Sequence, residues 1–152
     1  MIKKIFVYLA TLLICVVALV FYNYQKQQKN LRNSRQTQFS INLEKTPETM
    51  VTNQPANFSW RIIAPESFST TATGIYWNYE SSPSALTKFD SPKAVGYPNF
   101  TEDYSLGLFK LPDTFDLNLK FPRVGTVYFR AYAKIDNDYL WTEEKRIIVI
   151  LK

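Results

Sequence analysis

The stretch 124–144, VGTVYFRAYAKIDNDYLWTEE, has the most regular pattern in the chain. Along residues 127–134 apolar positions alternate with polar and tyrosine positions: Val127, Phe129, Ala131 and Ala133 against Tyr128, Arg130, Tyr132 and Lys134. Such alternation is typical of a strand with one buried face. The Asp-Asn-Asp run at 136–138 consists of residues that tolerate turn geometry. The stretch therefore predicts a hairpin that leads into a last strand ending in RIIVILK at 146–152.

Three earlier stretches show the same period of two: NFSWRIIA (57–64), TGIYWNYE (73–80) and FDLNLKF (115–121). The positions expected to face a core are Phe58, Trp60 and Ile62, then Ile75, Trp77 and Tyr79, then Phe115, Leu117, Leu119 and Phe121. Short alternating runs separated by Pro, Ser, Asn and Asp clusters indicate an antiparallel all-β domain. The eighteen aromatic residues after Glu44 can supply its core.

The runs FSWRIIAPE, TGIYWNYE, GTVYFRAYAKID and WTEEKRIIVI resemble strands B, C, F and G of a fibronectin type III domain, especially of the bacterial type. The resemblance covers roughly residues 46–152 and implies an immunoglobulin-like sandwich of two antiparallel sheets. Trp60 matches the core tryptophan of strand B, and Gly125-Thr126 matches the corner before strand F. The family usually places a tyrosine two residues after this Thr, which is Tyr128 here, and its hydroxyl forms the tyrosine-corner hydrogen bond. The chain departs from this pattern, because the alternation turns Val127 rather than Tyr128 towards the core. Such a sandwich hosts many different functions.

The N-terminal third has a different character. Residues 1–4 form a short basic N-terminus, and residues 5–24 are almost entirely apolar, which predicts a single transmembrane α-helix of about 30 Å. A cleaved signal peptide is the alternative, but no small residues stand three apart near the end of the run. Cys15 lacks the small neighbour of a lipobox, since Ile14 precedes it. Residues 25–45 are predicted to be a polar, basic stalk.

The resulting interpretation is a single-pass membrane protein that contacts the lipid bilayer through its N-terminal helix. Four cations follow the apolar run and two lysines precede it, so a strict charge count favours a cytoplasmic domain. The short MIKK start has the form of an export signal, and the type of domain also favours export. We therefore expect the domain at 46–152 to lie outside the cytoplasm.

Charge and residue types exclude several functions. Residues 45–152 carry twelve basic and twelve acidic side chains, so the domain lacks the positive surface that a nucleic-acid partner needs. The chain has no histidine, one cysteine and four scattered glycines, which removes the usual catalytic triads, imidazole zinc sites and phosphate loops. Asp136 and Asp138 suit a turn better than a calcium site. The sequence predicts no enzyme activity, no cofactor and no metal.

Three functional hypotheses remain open. The first is a membrane-anchored, non-enzymatic binding or adhesion module with a protein partner. The second is a structural component or spacer of a membrane or envelope assembly. The third is a carbohydrate-binding module that uses tyrosines on a strand face, for which Tyr76, Tyr128 and Tyr132 are the candidates.

Segment 81–112 is the longest stretch without a strand period, and four prolines stiffen it. Four aromatic residues lie among its polar ones and are the candidate partner-binding residues: Phe89, Tyr97, Phe100 and Tyr104. Connections on a rigid sandwich often carry function. The alternative is that these rings fold back over an open sheet edge and close the core.

Overall fold

The computed structural model describes residues 15–28 and 39–152. Residues 39–152 form a compact unit of their own. The predicted basic N-terminus at 1–4, the first part of the predicted membrane helix at 5–14 and the middle of the predicted stalk at 29–38 lie outside the described residues.

Helix α1 covers residues 15–28, and its side chains are exposed. Among the residues that the structure describes, no helix is both long and apolar enough to cross a membrane. This finding contradicts the predicted localisation as a single-pass membrane protein with an extracytoplasmic domain.

Residues 39–152 consist mainly of strands, which confirms the all-β assignment. The strands are β1 (Ser40–Lys45), β2 (Thr49–Val51), β3 (Ala56–Ile63), β4 (Ser69–Thr70), β5 (Ala72–Asn78), β6 (Asn99–Phe100), β7 (Phe109–Lys110), β8 (Asp113–Leu119), β9 (Gly125–Ile135), β10 (Asp138–Trp141) and β11 (Lys145–Ile150). A short 3-10 turn at Pro92–Ala94 interrupts the long connection between β5 and β6.

The strands form two main sheets with a core between them. One sheet has the order β1-β3-β8, and the other has the order β2-β11-β9-β5-β6 with β10 also paired to β9. All pairs are antiparallel except β2 with β11. Strands β4 and β7 form a separate two-stranded ribbon. Strands β6 and β7, of two residues each, lie within segment 81–112, where the sequence shows no strand period.

The inward positions predicted from alternation do form the core. Phe58 and Phe129, from opposite sheets, meet edge to face with their centroids 5.3 Å apart. Trp60 is fully buried, and its indole Nε1 donates a 2.7 Å hydrogen bond to Thr73 Oγ1. Val127 is fully buried while Tyr128 is only half-buried, as the departure from the fibronectin pattern predicted. The apolar alternation therefore holds the two sheets together through their inner faces.

Strand β1 lies inside the segment 25–45 that we predicted as a stalk, so the sandwich begins earlier than residue 46. Ile41 is buried and Leu43 packs against the core, while Asn42 between them is exposed. The strand pairs with β3 from Ser40 to Lys45. Its alternation covers only two apolar positions, which the polar residues around them concealed.

The predicted final hairpin is present, but its second arm is divided. Asp136 adopts a positive φ of 53°, as the turn after β9 requires. Both β10 and β11 pair with β9, and the chain leaves strand geometry at 142–144 between them. The outer face of β9 also differs from the prediction, because Arg130 is only 3% exposed and Tyr132 only 6%.

Replacing Trp60 by alanine is expected to lower the free energy of unfolding by about 3–5 kcal/mol, because a buried ring and its hydrogen bond are lost. Chemical denaturation followed by circular dichroism measures the change. Arg61→Ala, on the adjacent exposed position, is the control and should change stability by less than about 0.5 kcal/mol. Equal effects of the two substitutions would contradict the placement of Trp60.

A protein that starts at residue 46 is expected to be less stable than one that starts at residue 39, by about 2–4 kcal/mol, because it lacks the burial of Ile41 and Leu43. Urea denaturation of the two fragments measures the difference. Identical midpoints would show that β1 contributes nothing to the stability of the domain and that the boundary predicted at residue 46 is the right one.

Candidate functional site

The long connection between β5 and β6, residues 79–98, covers part of the outer face of the larger sheet. Backbone groups of Ser82, Ser84 and Asp90 form hydrogen bonds to three side chains: Arg130 of β9, Trp141 of β10 and Glu144 of the 142–144 segment. Side chains that alternation places towards water are thereby covered by a second layer. This layer, and not the inner core, shapes the candidate site.

Arg130 is the centre of this layer. Its guanidinium donates to Tyr97 Oη at 2.9 Å, to the Thr142 carbonyl at 2.9 Å and to the carbonyls of Ser82 and Ser84 at 3.0 Å each. A buried cation is costly unless hydrogen bonds replace its hydration, and here all three guanidinium nitrogens have partners. The outward position on β9 is therefore tied to both ends of the covering connection.

Tyr97 joins Arg130 to an acid. Its hydroxyl accepts from Arg130 and donates to the carboxylate of Glu144, which also accepts from Ser81 Oγ at 2.6 Å and from the Ser82 amide at 2.7 Å. We call Arg130, Tyr97, Glu144 and the carbonyls that Arg130 contacts the Arg130 clamp. Glu144 reaches the connection because the chain leaves strand geometry just before β11.

Around neutral pH the protonation states of Tyr97 and Glu144 suit the hydrogen bonds of the clamp. Burial, followed by the hydrogen bond to Glu144, raises the pKa of Tyr97 to about 12, so its hydroxyl keeps its proton. Burial alone would raise the pKa of Glu144, but the hydrogen bonds from Ser81, Tyr97 and the Ser82 amide outweigh it and lower that pKa. Glu144 is therefore a carboxylate and a good acceptor.

Strand register brings aromatic residues together beside the clamp. Tyr132 of β9 lies opposite Trp141 of β10, and Tyr76 of β5 lies opposite Phe100 of β6. Residues directly opposite in an antiparallel pair share a face of the sheet. Tyr139, opposite Lys134, extends the same face.

Four of these rings, all except that of Trp141, line a groove with a volume of about 740 Å³. Tyr76 stacks on Phe100 at 5.4 Å and meets Tyr132 edge to face at 5.4 Å, and Tyr132 stacks on Tyr139 at 6.1 Å. The other wall comes from the covering connection. We call the aromatic groove the surface lined by Tyr76, Ser91, Pro92, Lys93, Tyr97, Pro98, Phe100, Tyr132, Lys134 and Tyr139. Its volume falls in the range of small-ligand sites, roughly 300–1,000 Å³.

The groove is polar without carrying an anion. Burial raises the pKa of Tyr76, and burial together with Tyr76 and Tyr139 raises that of Tyr132, so both hydroxyls stay neutral. Lys93 and Lys134 are the charged residues of its lining. The site offers flat apolar rings, neutral hydroxyls and two cations.

The four predicted partner-binding residues do not form one surface. Phe100 is 48% exposed and lines the groove, whereas Tyr97 is 4% exposed and belongs to both the groove wall and the clamp. Phe89 is 79% exposed but is not part of the groove. Tyr104 is half-buried and packs against the core beside Trp60, which is the arrangement that the core-closure alternative describes.

The tyrosines considered for carbohydrate binding divide in the same way. Tyr76 and Tyr132 are in contact within the groove. Tyr128 lies in a separate depression of about 310 Å³ with Glu144, Lys145 and Arg146. Sequence reasoning missed Tyr139, Lys93 and Lys134, and only the pairing of β9 with β10 could have placed Tyr139 beside Tyr132.

No group of three or more His, Cys, Asp or Glu side chains suited to a metal occurs among residues 15–28 and 39–152. Asp136 and Asp138 flank the turn between β9 and β10, and Asp138 pairs with Lys88 at 3.2 Å.

No protein-family model matches this chain. No curated protein matches it either. Among solved structures, the superoxide reductase (neelaredoxin) from Ignicoccus hospitalis is 18% identical, over 73% of this chain and 80% of that one, with a TM-score of 0.41. A candidate lipoprotein from Bacillus anthracis is 14% identical over 73% of both chains, with a TM-score of 0.40. A candidate superoxide reductase from Thermotoga maritima is 12% identical over 74% of this chain and 87% of that one, with a TM-score of 0.39.

These similarities are to β-rich folds, and two of the three proteins are described as superoxide reductases, which are enzymes. The prediction that the chain is not an enzyme rested on residue types alone, and the comparison with these two enzymes contradicts it. We withdraw the exclusion. Similarities of this size assign no reaction to the chain.

Glu144→Gln is expected to lower the free energy of unfolding at pH 7 by roughly 1–2 kcal/mol, because the ionised acceptor of the clamp is lost. Since the folded-state pKa of Glu144 is lowered, its contribution is complete above the unfolded value of about 4.3 and disappears as the pH falls through the folded value. Urea denaturation from pH 3 to pH 8 measures this.

The matched control is Glu143→Gln, because Glu143 is the adjacent acid and is exposed. Its stability should follow that of the unsubstituted protein at every pH. If the deficit of Glu144→Gln stays the same at pH 3 as at pH 7, Glu144 does not act in the clamp as a carboxylate.

Proposed function

We propose that residues 39–152 are a binding module and that the aromatic groove is its site for a saccharide. The observation that carries the proposal is the arrangement of Tyr76, Phe100, Tyr132 and Tyr139 in one groove with neutral hydroxyls at hand. Sugar rings present apolar faces that stack on aromatic rings and hydroxyls that pair with polar groups. Phe100 is accessible enough to meet such a ring, since it is 48% exposed.

Rigidity of the groove supports the proposal. Pro92 and Pro98 stiffen the wall that the connection supplies, and the Arg130 clamp holds this wall against the sheet. A ligand that enters a preformed groove does not have to order the protein, so more of its contact energy appears as affinity. The hypotheses of a protein partner and of a spacer role stay predictions from the sequence.

We also propose that the sandwich is of the fibronectin type III kind. Support comes from the sheet orders β1-β3-β8 and β11-β9-β5-β6, in which β3, β5, β9 and β11 contain the four motifs that resemble strands B, C, F and G. The parallel β2, between β1 and β3 in the chain, adds a strand beside β11. Within this fold the groove lies on the outer face of the sheet that contains β9.

The test is binding of the full chain to an array of neutral and acidic oligosaccharides, followed by calorimetry with the oligosaccharides that bind. Phe100→Ser and Tyr139→Ser are each expected to weaken binding about tenfold, which corresponds to about 1.4 kcal/mol, because each removes a stacking surface. Thermal unfolding of the same variants checks that the fold is retained.

Two matched controls remove aromatic rings outside the groove. Phe89→Ser removes an exposed ring of the connection 79–98, and Tyr128→Ser removes a tyrosine on the face of β9 that also carries Tyr132. Both should bind as the unsubstituted protein does. The proposal fails if no oligosaccharide binds, or if Phe100→Ser and Tyr139→Ser bind as tightly as the controls.

A further inference from the structure

The charged residues of the aromatic groove are all cations. Lys134 lies on β9 opposite Tyr139, and Lys93 lies in the 3-10 turn at Pro92–Ala94, so the two ammonium groups come from the sheet and from the covering connection. Within the described part of the chain, neither lysine forms an ion pair. The groove therefore contains positive charge without a protein partner.

Three acids on the elements that form the groove or the clamp are already occupied. Asp138 pairs with Lys88 at 3.2 Å, and Asp90 accepts hydrogen bonds from the amide and hydroxyl of Thr87 at 2.6 and 2.7 Å. Glu144 is held in the Arg130 clamp. The hydroxyls of Tyr76 and Tyr132 stay neutral, because burial raises the pKa of both. No group of the lining competes with a bound anion for Lys93 and Lys134.

The charge of the whole domain limits how large such an anion can be. Residues 39–152 contain twelve basic and thirteen acidic side chains, a net charge of −1. A long polyanion, such as a nucleic acid, needs a broad positive surface, which this nearly neutral domain does not provide. A ligand with a single negative group placed at the two lysines meets only the local positive charge.

We propose that the aromatic groove binds a saccharide that carries a carboxylate, with the sugar rings on the aromatic residues and the carboxylate at Lys93 and Lys134. This inference rests on the proposed function and adds the charge of the ligand to it. The carboxylate can belong to a uronic acid or to a sialic acid, because both present the same anion on a sugar ring. Carboxylate and ammonium groups pair through charge-assisted hydrogen bonds.

The experiment compares ligands that differ in charge alone. Calorimetry of the full chain at 50 mM salt uses xylotriose bearing one glucuronic acid, sialyllactose, and the methyl ester of each. We expect at least one acid to bind about tenfold or more tightly than its ester, and the difference to shrink at 500 mM salt because exposed charges are screened. The two acids distinguish the uronic from the sialic source.

Lysine variants connect the charge preference to the groove. Lys93→Gln and Lys134→Gln are each expected to weaken binding of the acid about fivefold and to leave binding of the ester unchanged. Lys110→Gln is the matched control, because Lys110 is an exposed lysine outside the groove. It should leave both affinities unchanged.

The outcomes separate the two proposals. If acids and esters bind equally and Phe100→Ser weakens both, the saccharide site stands and the carboxylate inference is wrong. If the acids bind tightly but Lys93→Gln and Lys134→Gln have no more effect than Lys110→Gln, the inference is also wrong. If oligothymidylate displaces the acids and binds more tightly than they do, the site serves nucleic acid instead. If no saccharide binds, both proposals fall.

Discussion

The outer layer of this domain depends on the burial of one cation. Arg130 occupies a position on β9 that should face water, and it is 3% exposed because the connection 79–98 covers it. A guanidinium removed from water destabilises a fold unless its donors are satisfied, and removal of one partner leaves an uncompensated charge. The carbonyls of Ser82, Ser84 and Thr142 and the hydroxyl of Tyr97 meet this requirement. The connection therefore has one favourable position on the sheet.

The break between β10 and β11 belongs to the same constraint. If strand geometry continued through 142–144, the Thr142 carbonyl would lie in the plane of the sheet and the Glu144 side chain would point to one of its faces. In the break, the Thr142 hydroxyl accepts from the Ala131 amide at 2.9 Å, while the Thr142 carbonyl accepts from Arg130. Glu144 then reaches Tyr97 and Ser82. What looks like an irregular hairpin supplies acceptors to the clamp and its connection.

Inner and outer faces differed in how far the sequence predicted them. The inner face followed from alternation, because every apolar position on it, such as Phe58, Trp60 and Phe129, lies in the shared core whatever the strand register. The outer face did not, since the same alternation assigns Arg130 and Tyr132 to water and contains no information about a covering connection. Strand β1 was missed because its apolar pattern is short. Phe100, one of the predicted site residues, lines the groove, but its neighbours in space come from β5, β9 and β10, whose register sequence alone does not reveal.

The arrangement couples the stability of the connection to the shape of the groove. Tyr97 belongs to both, since its hydroxyl joins Arg130 to Glu144 while its side chain lines the groove wall. A change that loosens the clamp is expected to free the wall containing Pro92, Lys93 and Pro98 from the sheet and to separate Lys93 from the aromatic rings. By thermodynamic reciprocity, a ligand that contacts both walls stabilises the clamp by as much as the clamp improves its binding. Two buried residues thus hold the layers of the domain together. Trp60 of β3 joins the smaller sheet to Thr73 of β5, and Arg130 of β9 joins the covering connection to the outer face of the larger sheet.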